Sequence, residues 1–558
     1  MRPQVERQVV ALSGPGPRFV LFFSISDGRA RAEVSTATGQ DFAGAWRRGA
    51  RDVYRSALAK KIAVRWLRVD WVEAVEKTTW ADLRLRLVAT KRNYFRYGIS
   101  LDPSFSRAFL EMELNANAML YEGGATSHAV LNTANFRRYA KTRHGLLKVG
   151  FEAEGDVFVF STRGAFATGS DQDVHLIHGV GPNAGRRVLS QLKPVDVRLL
   201  IKSASTYLST QVLPDGRFQY GWHPCFDRPI PTYNVLRHTS TLYSMIEAWE
   251  VTQCSDLKAA IDRALEYLTT VIIKTVDANG VAVSVLVDQD ADIKLGASGV
   301  CLLALVKYSE LTGTKRYIDL LRQVAEGIVY MQDPSSGKLR HIYNYPSLSL
   351  REEFRTIYYD GEAAFGLMRL YGFTGEERWL EPVRKAFTCF LAGDHWKAHD
   401  HWLSYCVNEL TLHCAEAKYF EFGLKNFVGH LDFVLNRITT FPTLLELMMA
   451  AEKMVTRLRL LPEFAHLMEA VDLEKFYAAL DHRAHYLLNG YFWPEVAMYF
   501  ANPAKIQGSF FIRHHSFRVR IDDVEHYLSG YVAYLDYLER SSGQQSSQGD
   551  LRMSETAV

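Results

Sequence analysis

The chain has 558 residues and a formal charge of +3, from 65 basic against 62 acidic side chains, so there is no electrostatic footprint for a phosphate backbone or an anionic membrane, and nucleic acid is not an expected partner. At roughly 150 residues per unit this length allows two to four structural units. Hydrophobic residues make up 48% and aromatic residues 12%, enough for large cores and for rings that stack on sugars or other planar ligands.

Residues 1–125 read as a small α/β (α+β) domain. The run 19–25, the pair Asp27 and Gly28, and the run 30–34 predict a hairpin. Apolar spacing predicts a helix over 41–59, a strand over 64–75 and a helix over 105–120. The run 19–25 is too short for a signal-peptide core, and no stretch approaches about 18 uninterrupted apolar residues. The expectation is therefore a cytoplasmic protein without membrane insertion. The stretch 90–98 is basic and aromatic, suited either to a phosphate or carboxylate or to a solvated loop with packed rings.

Residues 126–190 read as a β-rich connecting segment, with strands expected over 146–151 and 156–162. Gly179 and Gly185 bound a glycine-rich stretch that lacks the G-x-G-x-x-G spacing, so no dinucleotide site is supported. The six cysteines form no CxxC pair and read as reduced and buried.

From 191 the strand signals give way to amphipathic helices over 195–210, 236–252, 256–274, 296–312, 317–331, 361–372, 379–391, 402–419, 424–434, 443–461, 464–485 and 524–539. Two corners repeat. Residues 308–318 and 370–380 both run from a helix through Thr-Gly and two polar residues to Arg, an aromatic and an aliphatic residue, and 242–257 is a looser third copy. The glycine suits a left-handed helix cap. Residues 541–558, rich in Ser, Gln and Gly, are expected to be a disordered tail.

With twelve helices, the Thr-Gly corners and the phrase Leu213-Pro-Asp-Gly-Arg-Phe-Gln-Tyr-Gly221, the chain resembles the (α/α)6-toroid carbohydrate-active superfamily. That superfamily includes N-acylglucosamine 2-epimerases, cellobiose 2-epimerases, unsaturated glucuronyl hydrolases and the helical domain of glucuronyl C5-epimerases. The resemblance implies a mainly α fold, with a toroid of six helix pairs over 191–540 behind the smaller N-terminal domain. It also implies a sugar-like substrate.

In such a ring the inner helices start on one face and their N-termini favour polar and anionic ligands. The fourth start offers His399, Asp400, His401 and Trp402, where His401 is the candidate acid/base and Trp402 a stacking wall. Asp400 is equally suited to cap the helix. Asp522, Asp523 and His526 can share a proton, or Asp522 caps and Asp523 pairs with Arg520. Asp360 and Glu362 supply carboxylates beside Tyr359. Arg237 and Arg520 are anion clamps, with His238 and Trp222 nearby, and a buried pairing of Arg237 with Asp522 or Asp523 is the alternative. Asn234, Lys294, Ser298, Tyr358, Thr439 and Thr440 complete the expected funnel. His395, His399 and His401 could offer spaced ligands with Asp400, but no H-E-x-x-H or cysteine-based set is present, and neither a metal nor a cofactor is expected.

The reading is an intracellular enzyme acting on an oligosaccharide or a uronic-acid-containing glycan by acid/base catalysis, as hydrolase, lyase or epimerase. The alternative is a non-catalytic toroid binding a polysaccharide or a protein partner. A homodimer is left open.

Overall fold

Strand β1 (Phe19–Ser26) turns at Asp27 and Gly28 and returns as β2 (Glu33–Gly39). The turn closes because Asp27 Oδ1 accepts the backbone N–H groups of Arg29 and Ala30, at 2.8 and 3.1 Å. This computed structural model describes residues 1–14, 16–169 and 173–555, with side chains as far as 542. After helix α1 (Phe42–Ala59) comes the long β3 (Trp66–Thr79), then α2 (Trp80–Val88), β4 (Gly98–Ser100) and β5 (Ala108–Phe109). Helix α3 (Thr133–His144), β6 (Asp156–Thr168) and β7 (His175–Ile177) follow.

The strands form one antiparallel sheet in the order β2-β1-β3-β6-β4-β5, with β7 also on β6. The boundary expected at residue 125 therefore does not divide two units, because β6 runs beside β3 from Asp156 to Thr168. The helix expected over 105–120 is replaced by β5 and a short helix, Glu111–Ala116. Asp102 explains this. Its carboxylate accepts the backbone N–H groups of Ser104, Ser106 and Arg107, which fixes a turn where a helix would have begun. No strand forms over 146–151; the carbonyls of Val149 and Phe151 accept from Arg137 and Arg84 instead.

Alternation along β1 sends Leu21, Phe23 and Ile25 into the cluster with Phe42 and Ala45 of α1. It sends Val20 and Phe22 into a core continuous with the helical part. Polar contacts reinforce that seam. Arg68, paired with Asp70 at 2.7 Å, donates to the carbonyls of Gly185 and Glu495, and Tyr499 donates to Ser24 at 2.9 Å.

The rest is mostly helical. In chain order come α4 (Pro194–Gln211), α5 (Val235–Thr252), α6 (Ser255–Tyr267), α7 (Leu295–Thr312), α8 (Ile318–Tyr330) and α9 (Tyr358–Thr374). They are followed by α10 (Leu380–Ala392), α11 (His401–His413), α12 (Ala417–Phe427), α13 (Thr443–Leu458), α14 (Leu473–Tyr486) and α15 (Ile521–Glu555). Helices α5, α7, α9, α11, α13 and α15 pack each on the next, and α15 packs back on α5. The alternate helices α4, α6, α8, α10, α12 and α14 pack on this closed circuit.

The repeated corners work as expected. Gly313 and Gly375 cap α7 and α9 at φ 68° and 69°, the left-handed region in which glycine carries no Cβ penalty. Gln253 occupies the same conformation after α5. Helix α15 continues to Glu555, through most of the segment expected to be a disordered tail. Turns already nucleated by packing can be extended without a second nucleation cost. Residues 556–558 of that segment lie outside the described ones.

Candidate functional site

A cavity of about 450 Å³ lies where the ring helices begin. Its walls come from the starts of α5 (Asn234, Arg237, Ser240), α9 (Tyr358, Tyr359, Glu362), α11 (His401, Trp402), α13 (Phe441, Thr443) and α15 (Arg520, Asp522, Asp523, His526), with Arg355 and Thr356 at one side. A larger cavity of about 620 Å³ includes Lys307, Glu250, Arg369 and Glu409. There Lys307 pairs with Glu250 and Arg369 with Glu409. The first cavity differs in that buried donors and acceptors lack partners.

Asp400 caps α11 through the N–H groups of Trp402 and Leu403, at 3.1 and 3.0 Å. It is fully buried and does not line the cavity. His401 Nδ1 lies 3.3 Å from Asp400 Oδ1. His401 Nε2 is buried and without a hydrogen-bond partner, 3.9 Å from Glu446 Oε2.

Glu446 sits in the first turn of α13, where the helix N-terminus favours its negative charge. Its Oε2 accepts from His526 Nδ1 at 2.8 Å, and Glu525 Oε1 lies 3.5 Å from the same nitrogen. Burial opposes charge on His526, but Glu525 and Glu446 outweigh it and raise the imidazole to about 10. Burial pushes Glu525 up to about 8, against the pull of His526. The His401 and His526 rings stand 5.3 Å apart, centroid to centroid. An imidazole with an unpartnered nitrogen and an imidazole held protonated therefore face the same space.

Around the start of α15 the carboxylates and guanidiniums alternate. Arg237 Nε meets Asp522 at 2.8 Å, Arg520 bridges Asp522 and Asp523 at 2.9 and 3.1 Å, and Arg518 closes on Asp523 at 3.2 Å. Arg237 also donates to Tyr220 Oη. Burial raises Asp522, with Asp523 adding to it. For Asp523 burial acts upward as well, but Arg518 and Arg520 prevail and hold it below the usual carboxylate range. Glu362, buried and with an unpartnered Oε2, is raised well above the ordinary value by burial and then by Asp400. It lines the cavity. Gly296 of α7 makes room for it, since a Cβ there would collide with the Glu362 carboxyl.

Of the expected residues, the cavity gathers His401, Asp522, Asp523, His526, Arg237, Tyr359, Glu362, Trp402 and Arg520. Four others lie elsewhere. Asp400 is the cap just described. Asp360 is buried against His341, 3.3 Å from Nε2, while His341 Nδ1 accepts the N–H of Arg355 at 2.9 Å. Asp360 thus supports the segment that brings Arg355 to the mouth. His238 is fully buried, with Nε2 donating to the Ala264 carbonyl at 3.1 Å and Nδ1 accepting from Tyr233 at 2.7 Å. Burial lowers it to about 4, so it stays neutral. Trp222 donates to Asp227, stacks under Lys505 and faces a separate depression.

Among the wider funnel candidates, Asn234 and Tyr358 reach the cavity, whereas Lys294 pairs with Asp288 and Ser298, Thr439 and Thr440 are buried outside it. His399 donates to the Asn426 carbonyl in its loop.

Glu446, Glu525, Arg355 and Phe441 were not anticipated. A carboxylate one turn into an inner helix, as at Glu446, was the available signal. His401, Glu446 and His526 place one ligand atom each within 4.8 Å of one another. This is a donor set that a divalent ion accepts.

The sequence matches no family model and no curated protein. Among solved structures, a D-mannose isomerase is 10% identical, with 62% of this chain and 100% of that chain covered and a TM-score of 0.46. Cellobiose 2-epimerase from Bacillus thermoamylovorans B4167 is 11% identical over 60% and 99% of the two chains, with a TM-score of 0.45. The GH76A alpha-1,6-mannanase from Salegentibacter sp. HEL1_6 is 12% identical over 62% and 100%, with a TM-score of 0.41.

Proposed function

We propose that the helical part is an (α/α)6 toroid of six pairs and that its cavity is the active site of an enzyme moving a proton at carbon in a sugar-like substrate. The observation that carries this is the pairing of His401, whose Nε2 is buried and bare, with His526, which the Glu446 carboxylate keeps protonated. A base and an acid 5.3 Å apart by ring centroid are what abstraction of a proton beside a carbonyl requires. In this reading His401 Nε2 takes the C–H proton as the electron pair moves to the carbonyl oxygen. His526 donates to that oxygen, and return of a proton to carbon gives the epimer or isomer. Tyr358 and Tyr359 offer ring faces to the sugar, and Arg237, Arg355 and Arg520 offer donors to hydroxyls or to a uronate. The six cysteines are unpaired, which supports a reducing, cytoplasmic setting.

A second reading has one observation in its favour. Glu362 is raised well above the ordinary carboxylate range and Asp523 is held below it, the kind of separation between two carboxyl groups that glycoside hydrolysis uses. It predicts new reducing ends from a glycoside substrate.

Both readings are tested by thermal shift with reducing sugars and uronides, because a ligand of the folded state raises the melting temperature by mass action. A rise that Arg237→Met removes is expected. No rise with any saccharide would leave the sugar assignment without support.

A further inference from the structure

At the seam between sheet and ring, the charges of Arg96, Arg186, Arg437, Arg483 and Arg513 act on Tyr94 or Tyr486. Arg513 lies 5.8 Å over the Tyr94 ring and Arg483 lies 5.1 Å over Tyr486. Arg186, Arg483 and Arg513 are only 2%, 0% and 5% exposed. Among the described residues Glu111 is the one carboxylate bonded to any of the five, shared by Arg96 at 2.9 Å and Arg513 at 3.2 Å.

Some of their donors are used. Arg186 Nε donates to Asn489 at 2.8 Å, Arg483 donates to the carbonyls of Thr439 and Arg437, and Arg437 Nε donates to Thr439 Oγ1 at 2.6 Å. Others are left over. Arg186 Nη2, Arg483 Nε, Arg513 Nε and Tyr94 Oη are buried without a hydrogen-bond partner. Burial lowers Arg186, Arg483 and Arg513 each to about 10. A cluster of buried cations is costly unless an anion compensates it.

We propose that this seam is a binding site for a tetrahedral oxyanion, a phosphoryl or sulfuryl group, held by the leftover guanidinium and phenol donors between sheet and ring. Guanidinium groups match such oxygens two at a time, and the basic, aromatic stretch 90–98 supplies Tyr94 and Arg96. The site also adjoins the cavity. Arg437 and Arg513 belong to the segments that carry Phe441, Thr443 and Ile512 into its wall.

The test is calorimetric titration of the full chain, without any sugar, with inorganic phosphate, pyrophosphate, sulfate, glucuronate and chloride at matched ionic strength. Saturable binding of phosphate, pyrophosphate or sulfate at one site per chain is expected, about tenfold weaker in Arg437→Gln and in Arg96→Gln. Phosphate and pyrophosphate report the phosphoryl source and sulfate the sulfuryl source. In a parallel melting experiment without anion, Arg437→Gln should be at least as heat-stable as the parent, since it relieves repulsion, and phosphate should raise the parent's midpoint alone. Absence of saturable oxyanion binding up to about 10 mM, binding of glucuronate only, or unchanged affinity in both variants would overturn the proposal. Because no sugar is present, these outcomes are separate from the fate of the proton-transfer reading.

Discussion

His526 and Glu525 hold protons in the folded chain at pH values where the unfolded chain has lost them, and that ties stability to pH. Their native values, about 10 and about 8, lie above the ordinary 6.5 and 4.5. For a group whose native pKa is raised, the stabilisation is complete below the unfolded value and is lost as pH climbs through the native one. The melting temperature should therefore fall progressively as pH rises from about 4.5 to about 10, and scanning calorimetry across that range checks it. Glu525→Gln, which cannot ionise, should flatten the lower part of that decline. The proposed catalysis depends on His526 staying charged: Glu446→Gln removes its acceptor and should lower kcat by about a hundredfold or more, with the fold intact by circular dichroism. At this scale the residue types were legible and their pairings only in part. The capping of α11 by Asp400 and the pairing of Arg237 with Asp522 were open alternatives in the text of the chain. Nothing local distinguishes a free His401 from a satisfied His238, because the difference lies in Tyr233 and Ala264, reached only through folding.

Between elements, α7 and α9 approach backbone against backbone. A Cβ on Gly299 would collide with the Glu362 carbonyl, and one on Gly366 with the Gly299 carbonyl. Gly299→Ala should therefore destabilise the protein by about 1–3 kcal/mol, the usual cost of overpacking, measured by urea unfolding. Asp400→Ala should cost about 1–2 kcal/mol through the lost cap, whereas Asp400→Asn, which keeps an acceptor, should cost less. The helices were readable because amphipathic spacing and the Gly313 and Gly375 corners are local signals. The hairpin Ile273–Ala278 with Val281–Leu286 was not anticipated, although Asn279 and Gly280 are a strong turn pair. The apolar run 256–274 hid it, since short apolar runs suit helix and strand alike.

On the scale of the whole molecule, the sheet and the ring share one apolar core, in which Phe22, Phe160 and Phe166 pack into the same cluster as the ring helices. Near-ultraviolet and far-ultraviolet signals should therefore fall together on heating, with no separate melting of the first 190 residues. The single sheet was hidden in the sequence because β3 and β6 pair across the whole of α2, β4, β5 and α3, and such long-range pairing leaves no local periodic trace. Ring closure through α15 on α5 is equally non-local. It brings His526 opposite His401, so the proposed chemistry depends on it. Proton exchange at carbon tests that chemistry most directly: in deuterium oxide, with a panel of aldoses, ketoses and reducing disaccharides, proton NMR should show loss of the C–H signal beside the carbonyl of at least one sugar. That loss should be absent with His401→Asn and with Glu446→Gln. Retention of every C–H signal by the folded parent protein, or exchange that survives both substitutions, would contradict the account.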